Sequence, residues 1–119
     1  MEVFMTGFSA ETMLQKCVEL SADKKARDLV SLRLSDLTTI CDYFLLMTAS
    51  NTRQAQSICD NIEEGMKAEG QPPLRIEGYN EANWILMDLG QVIVHIFLPE
   101  TREHYDLERL WGDAERSEY

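Results

Sequence analysis

Residues 76–112, IEGYNEANWILMDLGQVIVHIFLPETREHYDLERLWG, decide how this chain folds. Within them Trp84–Asp88 alternates, with Trp84, Leu86 and Asp88 on one face and Ile85, Met87 and Leu89 on the other, the period of a half-buried strand. Residues 91–98 make the next strand, which from Val92 to Leu98 is apolar on both faces and belongs inside a sheet. The two-residue link Leu89-Gly90 between these runs predicts a hairpin, with Gly90 supplying a positive φ. Pro99 ends the second strand. Thr101 can cap a last helix, in which Tyr105, Leu107 or Glu108, and Trp111 fall at helical spacing. The stretch has no glycine-rich phosphate loop, no metal-ligand spacing and no nucleophile elbow, so it reads as a surface rather than an active site.

Working upstream, Pro72 and Pro73 set off a short strand at 74–77, and residues 78–83 form a polar loop. Before the prolines, Ala55, Ile58, Cys59, Ile62 and Met66 recur at helical spacing, with Asn51 and Gln54 in capping-box register and Gly70 as the stop. Residues 43–49 (YFLLMTA) are the continuous apolar run of an interior strand. Strand, helix and strand over 43–77 form a unit with the expected right-handed crossover. Residues 27–34 (RDLVSLRL) read as a strand with Val30, Leu32 and Leu34 on one face, and Arg33 on the other points to a half-exposed or edge position. A first helix runs from Ser9, its cap, to about Asp23, with Ala10, Met13, Leu14, Cys17 and Val18 in one stripe. The sum is one α/β domain over residues 1–119, a mixed five-stranded sheet with helices packed on it, and frayed termini at 1–8 and 113–119.

The chain has 119 residues, 45% hydrophobic and 27% charged, enough for one buried core. Its formal net charge of −10, from 21 acidic and 11 basic side chains, disfavours nucleic acid and anionic membranes and favours a basic partner. No segment interleaves basic residues with stacking aromatics, so direct nucleic-acid recognition is not expected. Cys17, Cys41 and Cys59 are odd in number, widely spaced and set among apolar residues, which predicts small core residues in a reducing compartment rather than a disulfide framework. No run approaches the roughly 20 apolar residues of a membrane span, and the N-terminus has no signal or transit pattern, so the expectation is a cytoplasmic protein with no membrane partner.

Several residues admit two readings. His95, inside the apolar strand, is either a general base or a buried neutral imidazole bonded to a neighbour, and the second is the ordinary one. A metal pair of His95 with His104 lacks any supporting ligand motif. Asp36, Asp42 and Asp88 lie at strand ends, where paired carboxylates can hold magnesium for nucleotidyl transfer, but turn formation and capping explain them as well. Trp84 is either core or, if its face is the open one, an interface anchor. Tyr105 and Trp111, with Leu107 and Leu110, read first as a helix packed on its own sheet. No cofactor is called for.

Three blocks, KKARDLVSLRL (residues 24–34), DYFLLMTASNTRQAQSICDNI (42–62) and IEGYNEANWILMDLGQVIVHIFLPETREHYDLERLWGDA (76–114), together resemble the ribosomal silencing factor family, also called Iojap-like proteins. The combination of Glu77-Gly78, Trp84, Asp88-x-Gly90, the strand with His95, and YDLE-x-LW carries the likeness. Two departures stand out: Gln91 where aspartate or glycine is usual, and Ala49-Ser50 where threonine-glycine is more common. The second touches the loop that opens the second helix.

The resemblance implies a nucleotidyltransferase-like topology without the catalytic motif, and a non-enzymatic factor. It implies binding to the large ribosomal subunit through that subunit's protein fourteen, a steric block to small-subunit joining, and repression of translation when nutrients are short. A homodimer is a further partner it allows. Carried onto this chain, its ribosome-binding residues are Glu77, Gly78, Trp84, Asp88, Gly90, His95 and Tyr105. Leu86 and Leu89 join Trp84 as candidates for direct contact, and Glu77 and Asp88 as partners for basic groups. The competing functions are a nucleotidyltransferase-like nucleotide-binding enzyme using Asp36, Asp42 and Asp88, and a large-subunit assembly factor.

Overall fold

The apolar second strand of the hairpin sits in the interior of the sheet, and its six positions are all buried. A computed structural model describes residues 8–119. In chain order its elements are α1 (Ala10–Asp23), β1 (Arg27–Arg33), β2 (Tyr43–Thr48), α2 (Thr52–Ala68), β3 (Arg75–Glu77), β4 (Trp84–Asp88), β5 (Val92–Phe97), α3 (Pro99–Tyr105), α4 (Leu107–Leu110) and β6 (Glu115–Glu118). They build one α/β domain on a mixed sheet in the order β3-β4-β5-β2-β1-β6. Only β2 and β5 run parallel; every other neighbouring pair is antiparallel.

One face of the sheet carries α1 and α2. The stripes expected on these helices, Ala10, Met13, Leu14, Cys17 and Val18 on one and Ala55, Ile58, Cys59, Ile62 and Met66 on the other, are buried. They lie over Leu45, Met47, Ile85, Met87, Val94 and Ile96. Both helix ends are closed as the sequence leads one to expect. Ser9 accepts from the Thr12 amide, and Asn51 accepts from the Gln54 amide at 2.8 Å, while Gln54 returns to the Ser50 amide, one residue upstream of the usual capping-box donor. Beyond α2, Gly70 at φ +74 completes a Schellman turn in which Gly70 donates to Lys67 and Gln71 to Met66. Lys25 does the same after α1 at φ +63, a conformation in which a side chain is strained. The cysteines Cys17, Cys41 and Cys59 are buried and free, and burial pushes the Cys17 and Cys59 thiols up to about 12.

The structure corrects four expectations. The sheet has six strands, not five, because residues read as a frayed polar tail at 113–119 contain β6, which pairs antiparallel with β1. Its side chains are all exposed, so no apolar alternation announces it; the ladder, the Arg33–Glu115 ion pair and a Tyr119–Ser31 hydroxyl contact hold it in place. With β6 outside it, β1 is not an edge strand. The hairpin turn is Gly90-Gln91 rather than Leu89-Gly90: the register sets Trp84 opposite Phe97 and Asp88 opposite Ile93, Leu89 donates to Val92, and Gly90 at φ +88 takes the first central position, as in a type II′ turn. The last helix is two short ones. Pro99 rather than Thr101 opens α3, and Asp106 in the left-handed region at φ 47 breaks the run. The unit β2-α2-β3 is split, since β5 and β4 lie between its two strands. Of the 1–8 terminus, residues 1–7 lie outside the described residues, and Phe8 packs against the core.

Candidate functional site

The register lays out the second face of the sheet in rows. One row crosses all six strands as Glu77, Leu86, His95, Leu46, Val30 and Glu118. The next runs Arg75, Asp88, Ile93, Phe44, Leu32 and Arg116. Among the described residues this face is covered by α3, α4, the turn after them and Leu34 and Cys41 of the β1–β2 connection, and neither short helix has a fully buried residue. Ile85 and Met87 of β4 are buried under α1 and α2, while Trp84, Leu86 and Asp88 stay half-buried on this second face. At β4 the Trp84 face is therefore the less covered one, while Val30, Leu32, Leu46, Ile93 and Phe97 further across it are buried.

Aromatic rings run across it. Tyr105, 52% exposed, lies 4.7 Å from the Trp84 ring centre, and Trp84 lies 5.1 Å from Phe97. The Trp84 indole Nε1 donates to His95 Nδ1 at 3.0 Å. Phe44 meets the imidazole edge-on at 4.4 Å and in turn touches Trp111 at 6.0 Å. His95 is the buried neutral imidazole of the ordinary reading: desolvation pulls its pKa down to about 3, so it is uncharged near neutrality. Its Nε2 has no hydrogen-bond partner among the described residues. Tyr105 and Leu110 face outward, Leu110 at 72% exposure, whereas Leu107 and Trp111 pack on the sheet, so the last segment divides between bracing and display.

The other residues singled out from sequence separate into those on this face and those that shape it. Glu77 and Asp88 lie on it and share Arg75, whose Nε is 3.2 Å from Glu77 and whose Nη2 is 3.8 Å from Asp88. The Glu77 pair is well exposed on both sides and worth little, so its charge stays available. Asp88 also accepts from the Gly90 amide at 2.9 Å, the turn role expected of such aspartates. Gly78 and Gly90 are backbone requirements. At Gly78, φ +80, an added Cβ would lie 2.2 Å from the Trp84 carbonyl oxygen. Leu89 is not on this face: alternation turns it into the core beneath α1 and α2, where it is 6% exposed, which removes it as a contact residue.

Sequence reasoning passed over two residues. Phe44 sits in a run read only as scaffold, and its place beside His95 follows from the parallel β2–β5 register, which nothing local encodes. Arg102 reaches from α3 to the Asp28 carbonyl at 2.8 Å, the Thr48 hydroxyl at 2.9 Å and Glu108 at 3.2 Å. Glu108 also binds Arg116 of β6 at 3.0 Å. Burial pulls the Glu108 carboxyl up, but hydrogen bonds from Arg116 and Arg102 outweigh it and hold the group below its ordinary value. These pairs line a cleft of about 620 Å³ between β1, β6 and α3. A smaller hollow of about 300 Å³ beside Trp84 is lined by Gly78, Glu81, Asn83, Thr101 and Tyr105. Among the described residues no group of three His, Cys, Asp or Glu side chains is placed to hold a metal ion, and no helix is long and apolar enough to cross a membrane.

Comparison with known proteins converges on one family. The family model described as "Ribosomal silencing factor during starvation" matches residues 8–119. A ribosomal silencing factor from Halalkalibacterium halodurans is 39% identical over 106 residues, which are 89% of this chain and 91% of that protein. A crystal structure of a Chromobacterium violaceum protein superposes with a TM-score of 0.86 at 30% identity, covering 88% of each chain. More distantly, the mouse protein named "Mitochondrial assembly of ribosomal large subunit protein 1" is 31% identical over 97 residues, 79% of this chain and 42% of its own length. A family match from the first described residue to the last, joined to a sheet shared with a solved structure at this level of identity, places the chain in the ribosomal silencing factor family.

Proposed function

We propose that this protein is a non-enzymatic cytoplasmic factor that docks on the large ribosomal subunit, on its protein fourteen, through the open sheet face around Trp84. The bulk of the bound domain then blocks small-subunit joining and represses translation under nutrient limitation. The observation that carries the reading is the half-buried Trp84, with exposed Tyr105 over it, Glu81 beside it, and acidic Glu77 and Asp88 further along the same face. An aromatic anchor in a polar rim is the anatomy of a protein-binding hot spot. A standard interface of roughly 800 Å² per partner would suffice for stable binding. The net charge of −10 steers the domain towards a basic protein and away from bare RNA. Trp84, Leu86, Glu77, Asp88 and Tyr105 make the contact in this reading, with Gly78, Gly90 and His95 supporting them. The domain acts as one unit, alone or as a homodimer.

Pelleting with separated subunits tests this. Wild-type protein should sediment with large subunits and not small ones, and excess protein should lower the yield of joined ribosomes. Trp84→Ala should weaken binding by about thirtyfold, roughly 2 kcal/mol. Equal binding of folded Trp84→Ala would show that the face is wrong, and normal joining in excess wild-type protein would end the steric mechanism. The name of the mouse relative favours a second reading, assembly of the large subunit. Accumulation of immature large subunits in a deletion strain, with joining unaffected by the protein, would select it.

A further inference from the structure

His95 lies at the centre of the docking face yet is only 3% exposed, so a partner settling on the sheet meets its neighbours rather than the imidazole itself. An indole N–H can only donate, so the 3.0 Å contact requires a bare lone pair on His95 Nδ1 and puts the imidazole proton on Nε2. That Nε2 is the one buried side-chain nitrogen or oxygen without a hydrogen bond among the described residues. Leaving a buried donor unmet lowers stability, and an apolar side chain of similar size would avoid the loss. The arrangement makes physical sense if Nδ1 serves something other than stability. What it touches is Trp84, whose ring is otherwise bounded by buried Phe97 and by Tyr105 on an exposed helix.

Resting on the docking reading above, we propose that His95 is a positioning residue: its Nδ1 fixes the Trp84 indole in the orientation that meets the partner, without touching the partner. The single hydrogen bond converts a mobile aromatic side chain into a pre-set anchor, so binding loses less side-chain freedom. Phe44, edge-on to the imidazole, in turn sets the plane of the ring.

The contact can be read in wild-type protein labelled with ¹⁵N: a scalar coupling across the hydrogen bond should join the Trp84 indole N–H to His95 Nδ1. His95→Leu should speed solvent exchange of that indole proton. His95→Asn, whose amide oxygen can stand where Nδ1 does, should restore much of the protection. In large-subunit pelleting, His95→Leu should weaken binding by about fivefold to tenfold, the effect of freeing one side chain. In a Trp84→Phe background, where no indole N–H remains, it should change binding by less than about twofold. Absence of the coupling in wild-type protein, or an equal loss in both backgrounds, would overturn the proposal. Coupling in a protein that fails to bind large subunits would instead overturn the docking reading and leave the contact standing.

Discussion

Acidification should weaken this protein from just below neutrality, and His95 is the reason. Its folded pKa is about 3 against an ordinary 6.5, with desolvation as the cause. Between those values the unfolded chain holds a proton on this imidazole that the folded chain does not, so stability rises with pH through the interval and falls as pH drops below 6.5. The loss approaches about 1.4 kcal/mol per pH unit, or about 2 kcal/mol between pH 7.5 and pH 5. Against a domain stability of about 5–15 kcal/mol that is a large fraction. Glu108 acts in a lower window: with its folded value depressed, its contribution is full above the ordinary carboxylate pKa and is lost only as pH falls through the folded one. Urea unfolding of wild type and His95→Asn at half-unit steps from pH 7.5 to 5 isolates the imidazole. The gap between the two stability profiles should change by about 2 kcal/mol in favour of the variant on acidification. Parallel profiles would refute the reasoning.

Gly78→Ala should lower stability by about 3 kcal/mol in urea or thermal unfolding, because it combines a left-handed φ with a Cβ driven against the Trp84 carbonyl. Lys25→Gly should raise it by about 0.5–1 kcal/mol, since the exposed Lys25 at φ +63 gains freedom from steric strain at the end of α1; a loss would show that the side chain has a role there. Arg102→Met should cost about 2–3 kcal/mol by removing charge-assisted bonds to Asp28, Thr48 and Glu108. Hydrogen exchange should then quicken first in α3, α4 and β6; unchanged exchange in β6 would break the argued link through Glu108 and Arg116.

Wherever burial is written as local periodicity, the sequence was legible. The stripes of α1 and α2, the alternation of β4 and the doubly apolar β2 and β5 all follow from side-chain spacing, and Ser9, Asn51 and Gly70 mark their ends. What could not be read depends on partners far along the chain. β6 is a strand because β1 offers it a ladder, not because Glu115, Arg116, Ser117 and Glu118 favour one. The break at Asp106 follows from a left-handed residue that helical spacing conceals. At the site, the sequence singled out Trp84, Leu86, His95 and Tyr105, and alternation alone could have warned that Leu89 faces away from them. The bond between Trp84 and His95 needed the register of β4 on β5, and the place of Phe44 needed that of β2.

The parallel pairing of β2 with β5 bears on how the molecule assembles. Strands β3, β4 and β5 follow one another as a meander, and β1 and β2 are joined by a single loop, so within each half every pairing except that of β6 with β1 can form from nearby residues. The seam between the halves joins Tyr43 to Val92 and Thr48 to Phe97, across all of α2 and the meander. Such non-local closure is the slow step in folding, because loop entropy is lost before the contacts form. Phe44 packs on His95 from across that seam, so the support behind the Trp84–His95 bond is complete only when the two halves meet.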